Sequence, residues 1–377
     1  MKLIVQIVRL IVGGLFIFSG FIKANDPLGF AYKMEEYFTV FGTERLIPTA
    51  LFLSIFVCVF EMLLGFMLLL GSRIRLVLWL SLAMIVFFTF LTFYSAYYDK
   101  VTDCGCFGDF LHLTPWTSFT KDVVLLALIL VLFAGRRYIT PLLAPRPERI
   151  SLIAFAAFSL FFPLYTYNFL PVFDFRPYKI GTNLVDAMKV PPGGEGRFET
   201  NVYYKNLKTG ERKAFPPNNL PWRDSLTWKF DTTVTVTLVE PVMPPVHDFT
   251  ISTPEGSEYT EDFLTHVGPQ FFLVCYDLSL TNKKVFGKIN DFAQLCKKDN
   301  IPFICLTSSA AMIQDFKRET AADFDFYVTD RTQLKTMIRS NPGLILLNGP
   351  VVTAMWHYRS FPSYTEVKQR YFNDKKG

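Results

Sequence analysis

At 377 residues the chain has room for a membrane part and one or two soluble domains. Hydrophobic residues make up 51% of it, and the net charge is only +5 with no basic stripe, which argues against nucleic-acid binding. Six cysteines are too few and too scattered for a disulfide scaffold. Those at 58, 275, 296 and 305 read as small core residues, which leaves the close pair Cys104 and Cys106 as the chemical candidate.

In chain order, five apolar segments are long enough to span a bilayer: Leu3 to Ile22, Leu46 to Leu70, Ile74 to Tyr97, Phe119 to Ala134, and Ile150 to Val172. Arg9 interrupts the first run and no small-x-small cleavage site follows it, so this segment reads as a retained helix rather than a secretory signal. With a cytoplasmic N-terminus, Lys2, Arg73, Arg75, Arg136, Arg137, Arg146 and Arg149 all fall on the cytoplasmic side, as the positive-inside rule requires. The loop from Tyr98 to Ser118 and everything after Asp174 are then outside. The expected location is a bacterial cytoplasmic (inner) membrane, crossed several times, with the C-terminal domain in the periplasm.

Glu61 falls inside the second span, where an unpartnered carboxylate costs several kcal/mol, on the order of 3. Arg9, on the neighbouring helix, is the expected partner. The two read either as a buried pair that fixes helix register or as a site of proton or quinone handling. Glycines at 13, 14, 20, 65 and 71 allow close helix contact and predict a compact bundle.

The loop between the third and fourth spans carries Cys104-Gly105-Cys106-Phe107-Gly108 within Asp103 to Asp109. Two cysteines separated by one glycine close a disulfide only under strain, and a strained disulfide is readily reduced, so the pair predicts thiol-disulfide exchange at a membrane surface. A structural disulfide and unpaired thiols are the plain alternatives. Zinc wants about four ligands, and the loop adds only Asp103, Asp109 and His112, so no metal is expected. Asp103 and Asp109 act to raise the thiol pKa values, and His112 is either a proton carrier or simply solvated.

The stretch Arg9 to Pro27 (RLIVGGLFIFSGFIKANDP), Glu61 to Arg73 (EMLLGFMLLLGSR) and the Cys-Gly-Cys-Phe-Gly loop resemble the DoxX/MauE group of four-helix membrane proteins over residues 1 to 135. The resemblance implies a role in maturing disulfide-rich periplasmic proteins. In outline the bundle is also similar to vitamin K epoxide reductase and DsbB-type oxidoreductases, which pass electrons from thiols to quinone. Unlike them, this chain has no separate Cys-x-x-Cys pair, and Cys58 stands alone in its helix. No cofactor is therefore fixed by the sequence; quinone is the one that this similarity brings into view.

Beyond the spans, Phe198 to Lys205 and Glu211 to Phe215 flank a Lys208-Thr209-Gly210 turn, and Thr233 to Val239 alternates as a strand, which predicts a small β module over 174–245. Pro241 and Pro244-Pro245 make a stiff connector. From 246 onward strands and helices alternate: strands at Phe271 to Tyr276, Ile301 to Thr307 and Gly343 to Leu347, helices at Lys284 to Asp299 and Ser309 to Glu319. The run from His247-Asp-Phe-Thr-Ile to Asn341-Pro-Gly-Leu-Ile-Leu-Leu-Asn-Gly resembles the thioredoxin-like fold of TlpA/ResA-type proteins, and Pro342 matches the family's cis-proline. Where that family has Cys-x-x-Cys, this chain has Asp277-Leu-Ser-Leu-Thr-Asn-Lys-Lys284.

The expected architecture is therefore a four-helix membrane domain (1–135), a cytoplasmic loop and fifth span (136–173), a β module (174–245), and a thioredoxin-like domain without its dithiol (246–377). Two functions fit. In one, Cys104 and Cys106 exchange electrons with an extracytoplasmic protein thiol or disulfide, docked through the groove beside Pro342. In the other, the chain is a non-enzymatic assembly or binding factor with a structural cysteine loop.

Overall fold

Apolar runs with small residues on one face give six long helices in the first half of the chain. In the computed structural model, which describes residues 1–101, 108–111, 113–239 and 241–372, these are α1 (Lys2–Asn25), α2 (Pro27–Val40), α3 (Ala50–Leu70), α4 (Ile74–Tyr98), α5 (Pro115–Ala134) and α6 (Pro145–Asn168). Among the described residues, five helical segments are long and apolar enough to cross a membrane: α1, α3 with the turn leading into it from Glu44, α4, α5 and α6. The chain is a multi-pass membrane protein. The fifth span begins and ends earlier than its hydropathy predicts, because Pro145 sits in the first turn, where its fixed φ and missing N–H suit a helix start. Between the first two spans the chain forms α2, started by Asp26, whose side chain accepts from Gly29 N, and by Pro27.

α1 and α3 run antiparallel through a seam of glycines. A Cβ on Gly65 would lie 2.6 Å from the Gly13 carbonyl oxygen, and one on Gly20 would lie 3.0 Å from the Cys58 carbonyl oxygen. Only hydrogen at these positions lets the backbones come so close. α6 packs against both α3, where Phe66 stacks on Phe155 at 4.1 Å, and α1, where Phe21 stacks on Phe162 at 4.7 Å, and α4 packs along α5.

The chain makes two compact units: Met1–Gly181 with Thr250–Gly377, and Thr182–Phe249. The smaller holds α7 (Leu184–Ala187) and an antiparallel sheet in the order β2-β1-β3, from β1 (Arg197–Asn206), β2 (Arg212–Phe215) and β3 (Trp228–Val239). The β1–β2 turn forms where expected: Asn206 Oδ1 accepts from Lys208 N and Thr209 N, and Gly210 takes φ 74°. β3 starts five residues before the predicted strand, with Trp228 packed edge-on to Phe215 at 5.2 Å and Phe230 to Tyr204 at 6.0 Å.

The larger unit joins the bundle to a C-terminal α/β domain. Its elements are α8 (Thr260–Leu264), β4 (Pro269–Val274), α9 (Phe286–Lys298), β5 (Phe303–Thr307), α10 (Ile313–Thr320), β6 (Asp325–Val328), α11 (Arg331–Met337), β7 (Gly343–Asn348), β8 (Val351–His357) and α12 (Tyr364–Tyr371). The sheet order is β6-β5-β4-β7-β8; β4, β5 and β6 are parallel, and β7 runs antiparallel to both β4 and β8. Its core includes Phe271, Leu273, Phe286, Phe292, Phe316 and Leu346. Cys275, Cys296 and Cys305 lie buried; burial raises the pKa of Cys296 and Cys305, as expected of inert core thiols. The Asn341–Pro342 peptide is cis and directly precedes β7.

Candidate functional site

Cys104 and Cys106, with Asp103 and His112, lie outside the described residues. Their described flank is anchored. Asp109 Oδ2 accepts from Arg339 Nη2 at 3.1 Å, and the Phe110 ring meets Phe18 of α1 at 5.6 Å and Phe175 at 5.0 Å, both edge-on. The segment after the cysteines is thus held both by the bundle and by the C-terminal domain.

Arg339 is the centre of that contact. It follows α11, three residues before Pro342, and its Nε donates to both carboxylate oxygens of Asp26, at 3.0 and 2.8 Å. Burial works against its charge, but Asp26 and Asp109 outweigh burial and raise its pKa. Beside it, Lys335 pairs with Glu35 of α2 at 3.2 Å and lies 3.8 Å from the centre of the Tyr32 ring. Tyr32 OH in turn donates to Tyr276 OH at 3.2 Å. Burial holds both tyrosines well towards the protonated form and pushes the Lys335 ammonium down, against the pull of Glu35.

This end of the domain is where the sequence places the missing dithiol. Asp277 accepts from Arg331 Nη2 at 2.8 Å, its carbonyl accepts from Asn341 Nδ2 at 2.9 Å, and Thr281 donates to Asn341 Oδ1 at 2.9 Å, so the cis-proline loop is pinned to the loop after β4. Pro342 itself is buried. The groove expected to receive an outside partner therefore lies at an end of the domain whose neighbours, Tyr276, Lys335 and Arg339, are engaged by α1 and α2.

The expected Arg9–Glu61 pair does not form. The antiparallel register sets Arg9 against the C-terminal end of α3, where its Nε donates to Leu68 O at 2.8 Å, Nη2 to Leu69 O at 2.5 Å, and Nη1 to Gln6 Oε1 at 3.0 Å. Glu61 faces the other end of α1 and pairs with Lys23, whose ammonium also lies over the Phe30 and Phe88 rings at 5.4 and 5.0 Å. The side chains of Lys23 and Glu61 are 2% and 6% exposed.

Across from that pair, α5 supplies a second one. Asp122, 2% exposed, pairs with Lys121 at 2.7 Å and accepts from Thr92 Oγ1 of α4 at 3.0 Å. Both pairs line a single cavity of about 30 Å³, together with Ser19 and Phe88. Sequence reasoning passed over Lys23 and Asp122. The available signal was adjacent charge, Lys121-Asp122, inside an apolar helix. Among the described residues no three His, Cys, Asp or Glu side chains come together as a metal site.

Residues 1–135 match the family of the methylamine utilisation protein MauE, so the first four spans are a MauE-type membrane part. Residues 198–240, the strands of the smaller unit, match a domain of unknown function, DUF8463. No curated protein and no solved structure matches the chain. The MauE match together with the five apolar helices points to a membrane accessory protein.

Proposed function

We propose that this membrane accessory protein carries out thiol-disulfide exchange at Cys104 and Cys106 on the outer face of a bacterial cytoplasmic membrane, with the C-terminal domain as a fixed platform beside them. The observation that carries the reading is the Arg339–Asp109 contact: it ties the residue three before Pro342 to the residue three after Cys106.

The platform reads as thioredoxin-like without a dithiol. Support comes from three parallel strands followed by two antiparallel ones and from a cis-proline before β7. Support for the outward orientation comes from Lys2, Arg73, Arg75, Arg136, Arg137, Arg146 and Arg149, all near the ends of helices opposite the cysteine segment.

In the exchange, a thiolate of an extracytoplasmic partner attacks one sulfur of the Cys104–Cys106 disulfide. The other sulfur leaves as a thiolate and takes a proton. A second partner thiol then resolves the mixed disulfide, so the partner is oxidised by two electrons and Cys104/Cys106 is reduced; a protein disulfide reverses the sequence.

In Cys106→Ala the Cys104 thiolate can attack a partner disulfide, releasing one partner thiol, and with no second cysteine to resolve the mixed disulfide non-reducing electrophoresis should reveal a covalent complex that reductant dissolves. Normal periplasmic thiol status in both single variants and the double variant, with no trapped species, rejects the exchange. A periplasm-active phosphatase fused after Arg176 should be active and one fused after Arg146 inactive. The second reading, a non-enzymatic assembly factor, draws on the lack of cysteine between Asp277 and Lys284, and a failed trap would leave it standing.

A further inference from the structure

The Lys23–Glu61 pair borders a cavity, and a second buried pair, Lys121–Asp122, borders the same cavity from another helix. Roughly 10–15 Å³ suffices for one water, so about 30 Å³ has room for one or two; the wall is mostly apolar, and its polar part comes from residues among Ser19, Lys23, Glu61, Lys121 and Asp122. Among the described residues, the rest of its lining is Leu15 and Phe16 of α1, Met84, Ile85 and Phe88 of α4 and Leu125 of α5, none of which titrates. Among the described residues, Cys58, about one turn from Glu61 on α3, is a further titratable group close to the pair.

We infer that this cavity is a proton-exchange site inside the membrane, in which water carries a proton between Glu61 and Asp122. Each carboxylate is held beside an ammonium group, so an added proton brings either acid to a neutral carboxyl while its lysine stays charged. A proton taken up by Asp122 passes to the cavity water as that water gives one to Glu61. Asp122 returns to carboxylate, Glu61 becomes the carboxyl, and the total charge of the cluster does not change during the hop. Lys121, a quarter exposed, is the edge through which the site meets its surroundings. The two lysines divide the work. Lys23, enclosed by Glu61 and two aromatic rings, keeps the inner acid solvated in the absence of bulk water, whereas Lys121 marks the entry. None of this depends on the chemistry of Cys104 and Cys106.

The test is infrared difference spectroscopy of the full chain in phospholipid nanodiscs, acid minus neutral, in H₂O and D₂O. Two carboxyl C=O bands that shift on deuteration are expected, one lost in Glu61→Gln and the other in Asp122→Asn. The decisive signal is coupling: each substitution should also displace the other acid's band, and Ser19→Leu, which fills the cavity, should abolish that displacement while keeping both bands. If either acid variant does not fold, Lys121→Met reads the same coupling from the edge and should shift the Glu61 band. Bands that vanish singly and leave the other unmoved, or no carboxyl band at any pH at which the chain stays folded, overturn the inference.

Discussion

Arg9 and Lys23 are both buried cations on α1, about four turns and ~21 Å apart, yet they are satisfied in opposite ways. Arg9 spends its guanidinium on Leu68 O, Leu69 O and the Gln6 side chain, fixed acceptors that never change protonation. Lys23 faces a carboxylate beside a cavity. The first closes the end of α3; the second can take part in proton chemistry. Burial of a charge thus says little about function until its partner is known.

The sharpest way to break this contrast is Glu61→Gln, which leaves the Lys23 charge buried without its counter-ion. It should cost about 3–5 kcal/mol of stability in lipid, and adding Lys23→Met should recover most of the loss. A single variant as stable as the parent would show that Lys23 finds solvent. Arg9→Met comes next, at about 2–3 kcal/mol, because two carbonyls at the end of α3 lose charged donors. Arg9→Lys should restore only part of it, since an ammonium lacks the guanidinium fork. Neither Arg9 variant should move the infrared bands of Glu61 or Asp122; a shift would erase the difference between the two ends of α1.

Arg339→Gln removes two ion pairs whose acids are partly exposed, and should cost about 1–3 kcal/mol. Its readout is local: hydrogen exchange should quicken in α2 and α11 while α1 and α3 keep their protection. The smallest effect concerns acid. Burial lowers the pKa of His357 to about 4, from 6.5 in the unfolded chain, with Arg359 adding to the shift. The unfolded state therefore binds more protons between these values, and stability is complete above about 6.5 and falls as pH drops towards 4. Discounted for solvent screening, the loss is on the order of 1–2 kcal/mol, and His357→Asn should flatten it. What acid sensitivity then remains is the part to compare with the cavity acids.

The five spans were legible because a bilayer demands long uncharged runs, and their starts and ends blurred only where a proline moved a boundary, as at Pro145. The turn at Gly210 and the strand before Asn348 were legible from local chemistry, and a cis bond at Pro342 from resemblance. β6 and β8 passed unread. β6 is only four residues long, Asp325–Val328, and β8 is recognisable chiefly by its pairing with β7. The site was less legible. The choice between Arg9 and Lys23 as partner of Glu61 depends on the antiparallel register of α1 and α3, which the glycine contacts fix in space and no spacing along one helix reveals. Asp122 joins Glu61 only once α5 has packed, and Arg339 meets Asp26 across nearly the whole chain.

That last separation, 313 positions between Asp26 and Arg339, bears on how the molecule is made. The acid is synthesised with the first helix and its counter-ion 313 positions later, so through that stretch of translation the junction of α1 and α2 waits for a partner that does not yet exist. The clasp closes only after the domain that carries Arg339 has been made and folded. A chain stalled or clipped before Arg339 would leave Asp26 without its guanidinium, a natural mark by which copies that lack the C-terminal domain differ from those that carry it.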